Sequence, residues 1–98
     1  MHLAIRRLKA KSGQLDEGIR RIENGFVPLI SSMPGFVEYY LVDAGEEVGF
    51  SISVFETQEQ AEESNRRAAE WVKQNLVPLA AGPHETVAVG EVRTRKTK

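Results

Sequence analysis

Glu47-Val48-Gly49-Phe50-Ser51-Ile52-Ser53-Val54-Phe55 is the stretch on which the reading of this chain turns. Val48, Phe50, Ile52 and Val54 fall on one side, and Gly49, Ser51, Ser53 and Phe55 on the other. A period of two marks a strand with two unlike faces. Just upstream, residues 36–43 are rich in Val, Tyr and Phe, and Asp43-Ala44-Gly45-Glu46 is a turn signal. The two runs therefore read as strands of one β-hairpin.

Downstream of the hairpin, Thr57-Gln58-Glu59-Gln60 has the form of a capping box, and a helix is expected from there to about Leu76. At 100° per residue, Ala61, Ala68, Val72 and Leu76 share a face with Asn65, and the charged residues lie opposite. Glu62 to Arg66 and Glu63 to Arg67 are spaced for i,i+4 pairing. Upstream, Leu15, Ile19, Ile22, Phe26, Leu29 or Ile30, and Met33 form an apolar stripe on a first helix. Pro28 should kink or shorten that helix, because it lacks an N–H and its ring meets the Asn24 carbonyl. Gly18 and Gly25 flank the stripe, where close approach of another backbone would account for them. Pro34-Gly35 ends the element. Residues 3–10 and 85–93 read as the first and last strands.

Val27-Pro28-Leu29 and Val77-Pro78-Leu79 echo each other near the two helix ends, and Pro34 and Pro83 each precede a strand. The chain thus reads as two interleaved βαβ halves: an α+β, ferredoxin-like βαββαβ domain with a four-stranded antiparallel sheet and both helices on one face. The other face is left bare. Part of the apolar set of residues 47–55 would lie there, with Tyr39 or Tyr40 from the neighbouring strand. A homodimer is the expected cover.

Ninety-eight residues make one domain, 1–98, with 93–98 a basic and frayed tail. Residues 1–21 carry six Lys/Arg against Asp16 and Glu17, residues 22–92 carry three against twelve acids, and 93–98 add four bases. Basic ends around an acidic body are not a nucleic-acid footprint. With no cysteine, thiolate chemistry and disulfides are excluded, and the compartment is read as cytoplasmic. No apolar run reaches membrane-spanning length, so no membrane partner is expected.

The run Met33-Pro34-Gly35-Phe36, then Tyr39-Tyr40-Leu41, a short turn, Ser51-Ile52-Ser53-Val54-Phe55-Glu56 and an Ala/Glu-rich helix resembles the antibiotic-biosynthesis-monooxygenase-like domains of the dimeric α+β barrel superfamily. The resemblance spans roughly residues 3–92. It implies a ferredoxin-like protomer, a sheet-to-sheet dimer (the dimeric α-β barrel), and a pocket between helices and sheet. Some members oxidise polycyclic phenols with O2 and no cofactor, some degrade haem, and many have no known activity. Haem-degrading members need a histidine on the second helix and an asparagine on strand 1, and neither is present here. No cofactor is expected. Two isolated histidines, His2 and His84, make no metal site.

Five residues are candidates for the site. Asn65 interrupts an apolar stripe, so its amide must find a partner: a structural hydrogen bond, or a substrate carbonyl or O2. Cofactor-free members of the resembled family carry Asn and Trp one turn apart on this helix, whereas Asn65 and Trp71 are six residues apart. Trp71 reads as rim packing or a ligand contact. Tyr39 and Tyr40 must face opposite sides of one strand, so one faces helices and pocket and the other the dimer partner. His84 reads as a loop histidine or a pocket contact. Two functions remain: a cofactor-independent monooxygenase of a small aromatic or quinol-type molecule with Asn65 as the catalytic candidate, or a non-catalytic dimeric domain that binds a small ligand or a partner. An open pocket would favour the first, and a closed, side-chain-filled space the second.

Overall fold

A computed structural model describes all 98 residues. The elements run β1 (His2–Lys9), α1 (Leu15–Arg21), a π-helical turn (Ile22–Phe26), α2 (Val27–Ser31), β2 (Phe36–Gly45), β3 (Val48–Phe55), α3 (Gln58–Asn75), a 3-10 turn (Val77–Leu79) and β4 (Glu85–Glu91). The strands form one antiparallel sheet in the order β2-β3-β1-β4. This is the expected ferredoxin-like arrangement.

Local chemistry accounts for most element boundaries. The capping box forms as read: Gln60 N–H donates to Thr57 Oγ1 at 3.2 Å, and Thr57 N–H to Gln60 Oε1 at 3.1 Å. Gly35, at φ +79°, lies where any Cβ would overlap the Gln60 amide, so the loop needs glycine for conformation and for space. Pro28 does not simply kink one helix. A π turn precedes it, in which Val27 N–H reaches the Ile22 carbonyl, and Pro28 falls in the first turn of α2, where no N–H is needed. The reversal between β2 and β3 sits later than expected, at Glu46 and Glu47, both with positive φ. Glu47 also caps α1 across the fold. Its carboxylate accepts from Gly13 N–H at 3.1 Å and Leu15 N–H at 3.0 Å, while Gln14 at the N-cap makes no side-chain bond. Of the expected helix pairs, Glu63 takes both Arg66 (2.6 Å) and Arg67 (3.3 Å), whereas Glu62 accepts from Gln58 instead.

The core lies between the helices and one sheet face: Ile22, Phe26, Ile30, Phe55, Ala61, Ala68 and Leu76. Gly25 fits the indole of Trp71, not a backbone; a Cβ there would stand 2.8 Å from Trp71 Cζ2. Around Gly18 there is open space.

The two faces of the sheet reverse the usual assignment. On the face under the helices stand Ala4, Arg6 and Leu8 of β1, Tyr39 of β2, and Gly49, Ser51, Ser53 and Phe55 of β3. The face away from the helices carries Leu3 and Ile5 of β1 and Val48, Phe50 and Ile52 of β3, all half-buried, Val54 of β3, only 4% exposed, and Tyr40 and Val42 of β2, 51% and 42% exposed. Tyr40 OH donates to Glu38 at 2.7 Å on that side. Residues 92–98 have no regular secondary structure. They nevertheless run from β4 to the opposite edge strand over the face away from the helices, where Arg95 lies 3.3 Å from Glu38, the register partner of the enclosed Val54, so the tail covers part of that face and leaves Tyr40 and Val42 open. No helix is long and apolar enough to cross a membrane.

Candidate functional site

Arg6 organises the space beneath the helices. It alternates with Ala4 and Leu8 on β1, so register sends its side chain inward. Small neighbours make room for it: Gly49, Ser51 and Ser53 on β3, and Ala61, Ser64 and Ala68 on α3. The residue is 0% exposed. Its Nη1 donates to Asn65 Oδ1 at 2.8 Å, and its Nη2 to Ser51 Oγ at 3.0 Å and Ser53 Oγ at 3.1 Å. Its Nε is buried and has no partner. The guanidinium carbon stands 5.8 Å from the centre of the Phe26 ring, within cation–π range.

The hydroxyls around Arg6 extend into a network. Ser51 Oγ and Tyr39 OH are 2.7 Å apart, Ser53 Oγ and Ser64 Oγ 3.2 Å, and Ser64 Oγ donates to the Ala61 carbonyl at 2.6 Å. Every hydrogen-bonding partner of Arg6 is a neutral oxygen; none of the ion pairs in the structure includes it. A lone buried ion costs several kcal/mol, on the order of a whole domain's margin of stability. Burial pushes the Arg6 pKa down, opposed by neighbouring Tyr39, and burial pushes the Tyr39 phenol up. A guanidinium stays charged through such shifts.

Two small cavities adjoin this network. One, of about 10 Å³, is lined by Arg6, Tyr39, Ser51, Phe26, Ala68, Trp71 and His84 among others. The other, of about 20 Å³, is apolar and lies among Leu8, Leu15, Gly18, Leu76 and Leu79. Leu8, Val72 and His84 line both and so form the partition between them. Each holds about one water. On its outer side His84 borders an open groove of about 560 Å³ with Lys73, Val77 and Pro83. His84 is half-buried, its Nε2 has no partner, and burial together with Arg6 lowers its pKa.

The five candidates divide accordingly. Tyr39, Trp71 and His84 converge on the 10 Å³ cavity. Asn65 is a neighbour of that group through Arg6, whose guanidinium takes the hydrogen bond its amide required. Trp71 packs on Phe26 (5.6 Å between ring centres) and over Gly25. Tyr40 lies on the uncovered sheet face, away from the other four. Arg6, Ser51, Ser53 and Ser64 were not singled out from the sequence. The available signal was an arginine at the inward position of an otherwise aliphatic strand, beside a strand whose inward positions are Gly and Ser.

No three His, Asp or Glu side chains converge as metal ligands. A haem is poorly matched by the residues present: α3 carries no His, Met or Tyr to ligate iron.

The fold has many relatives of low identity. A protein of unknown function from Nitrosomonas europaea superposes with a TM-score of 0.78 at 17% identity, covering 99% of this chain and 93% of that one. The haem degrader MhuD of Mycobacterium tuberculosis, solved with two haems in its active site, gives 0.74 at 20% identity, over 99% and 100% of the two chains. The monooxygenase ActVA-Orf6 of Streptomyces coelicolor, solved with nanaomycin D, gives 0.75 at 14% identity, over 99% and 91%. No curated protein matches the sequence. The family model for antibiotic biosynthesis monooxygenase matches residues 1–70, from β1 through most of α3, and the chain therefore belongs to the antibiotic biosynthesis monooxygenase family.

Proposed function

We propose that this protein is a cytoplasmic homodimer whose subunits each bind a small aromatic or quinol-type molecule beneath the helices and oxidise it with O2, without a bound cofactor. The observation that supports this reading most is the inverted sheet. A protomer built only for stability would bury Val48, Phe50, Ile52 and Val54 under its helices. This chain turns Val48, Phe50 and Ile52 outward, only Val54 of that set being enclosed, and buries Arg6, Ser51 and Ser53 beside a half-buried Tyr39 instead. The polar interior supports a ligand site, and the apolar exterior supports a second copy.

The chemistry balances without an external reductant. A methylene activated between aromatic rings loses a proton, and the resulting carbanion passes electrons to O2. Oxidation of that CH2 to a ketone releases four electrons, which reduce O2 to one ketone oxygen and one water. The protein's part is to bind the anion, take the proton and exclude water. Phe26, Tyr39 and Trp71 offer aromatic walls, and Asn65 holds Arg6 in place.

The small volume of the two cavities favours a second reading, a non-catalytic ligand-binding or interaction domain. Oxygen uptake with anthrone- and quinol-like substrates separates the two. The oxidative reading expects uptake with one atom of labelled O2 in the product, reduced at least tenfold by Asn65→Ala. Background uptake that is unchanged by the substitution sinks it. For the assembly, sedimentation at micromolar concentration should show a dimer, and a monomer there removes the account of the outer face.

A further inference from the structure

We propose that Arg6 is the centre of a binding site for one small monovalent anion, a halide such as chloride, held in the water-sized cavity that its side chain lines. The site combines a fully buried cation, proton donors in surplus and no acid, with room for a single ion. It goes beyond the reaction proposed above and does not need it, since a non-catalytic domain would hold the ion equally well.

A count of protons leads here. A guanidinium has five N–H donors. Those of Arg6 meet three acceptors in the protein, Asn65, Ser51 and Ser53, all neutral oxygens. The Nε–H is buried and has no partner. The neighbouring hydroxyls add to the surplus. Ser51 Oγ and Tyr39 OH, 2.7 Å apart, share one hydrogen bond but bring two protons. Whichever of them donates, the proton of the other has no acceptor in the protein. Arg6, Ser51 and Tyr39 come from three adjacent strands and line the same cavity of about 10 Å³. No Asp or Glu lines it, and its remaining titratable group, His84, is neutral or cationic and has an unpartnered Nε2.

Charge and size together select the occupant. Buried donors without a partner call for a water or an ion. A water would accept from the spare donors but leave the guanidinium charge uncompensated, and a buried cation is costly until a counter-ion joins it. An anion accepts the same hydrogen bonds in their stronger, charge-assisted form. The cavity has room for about one water. A halide is only slightly larger than that, whereas a carboxylate, a sulfate or an aromatic anion needs space for several heavy atoms. A spherical ion also accepts from any direction, which suits donors that arrive from three strands.

The test exchanges sodium gluconate, whose anion is too large for the cavity, for sodium chloride at constant ionic strength. The thermal midpoint of the wild-type protein should climb with chloride. At ten times the dissociation constant, the unfolding equilibrium constant should be about elevenfold lower than in gluconate. The chlorine-35 resonance of chloride should broaden in the presence of the protein and sharpen again when bromide is added. Anomalous scattering from crystals grown in bromide should place the ion beside Arg6, Ser51 and Tyr39. Arg6→Met should remove both the broadening and the chloride dependence of the midpoint, and Arg6→Lys should keep part of each. Three results would each overturn the proposal: a midpoint no higher in chloride than in gluconate, line broadening that persists in Arg6→Met, or bromide found only at exposed lysines and arginines, which would mean an adventitious ion only. The wild-type titration and the bromide crystal carry the test even if Arg6→Met does not fold. Oxygen uptake is not among these readouts, so the ion site and the oxidation fail separately.

Discussion

The two faces of the sheet, built from the same four strands, are opposites. Ile5, Phe50 and Ile52 look out from the bare side, while Arg6, Ser51 and Ser53 lie one residue along on the covered side. Solvation alone favours the reverse, since each large aliphatic or aromatic side chain gains about 1.5–3 kcal/mol on burial and a buried charge loses several. The difference teaches that the covered side is not simply the core of the domain. It is a polar site with a core around its edge, from Phe55 and Ile30 to Leu76. Stability forgone there is recoverable on the bare side if a second copy covers it.

The contrast can be broken most sharply from outside. Ile52→Glu places a charge at the centre of the bare face and, by two-fold symmetry, acts twice in the proposed dimer. We expect association to weaken by about 3–6 kcal/mol, read as a dimer-to-monomer change in sedimentation. An unaltered dimer would locate the interface elsewhere. Next in size is Phe55→Ala, which removes the one large apolar side chain on the inner face of β3, 0% exposed. Chemical denaturation should show a loss of about 3–5 kcal/mol, far more than Ser53→Ala on the same face. Similar losses at Phe55 and Ser53 would mean that the polar network is itself the main support.

Gly25→Ala tests the roof of the site. Alanine is the better helix former by about 1 kcal/mol, but its methyl would stand 2.8 Å from Trp71, and overpacking costs about 1–3 kcal/mol. The crowding wins in our reading: denaturation should show a modest net loss, and indole fluorescence should change. A stabilised variant with unchanged fluorescence would show that Trp71 yields freely.

The smallest effect is the pH response of His84. Burial and Arg6 hold its folded pKa below the ordinary 6.5, so the folded state favours the neutral ring. The unfolded chain takes up the proton first as pH falls. The contribution is therefore intact above 6.5 and is lost as pH drops below it. Thermal midpoints should fall more between neutral and mildly acidic pH in the wild type than in His84→Ala. An identical pH dependence would argue against the buried imidazole.

Much of the fold was legible because its causes are local. The hairpin, the capping box at Thr57 and the apolar stripe through Ile22, Phe26 and Ile30 each depend on residues a few positions apart, which periodicity and propensity capture. The echo of Val-Pro-Leu marked the duplicated plan. Pro28 was legible as an interruption, but its resolution by a π turn depends on how the helix packs on the sheet and on Trp71. The site was less legible. Asn65 stood out as a polar residue in an apolar stripe, yet its partner lies 59 residues away on β1. Arg6 reads in the sequence only as one of the six bases of residues 1–21.

From the sequence alone follow the strands and helices, their order, the family and the presence of one apolar face on β3, since each is set by neighbours along the chain. The direction in which that face points, the burial of Arg6 among Ser51, Ser53 and Asn65, the choice of Tyr39 over Tyr40 for the interior, and the capping of α1 by Glu47 were decided only in three dimensions. A strand's alternation is symmetric between its two sides. Which side meets the helices depends on where residues distant in sequence leave room, and here the small side chains of β3 and α3 leave it for an arginine.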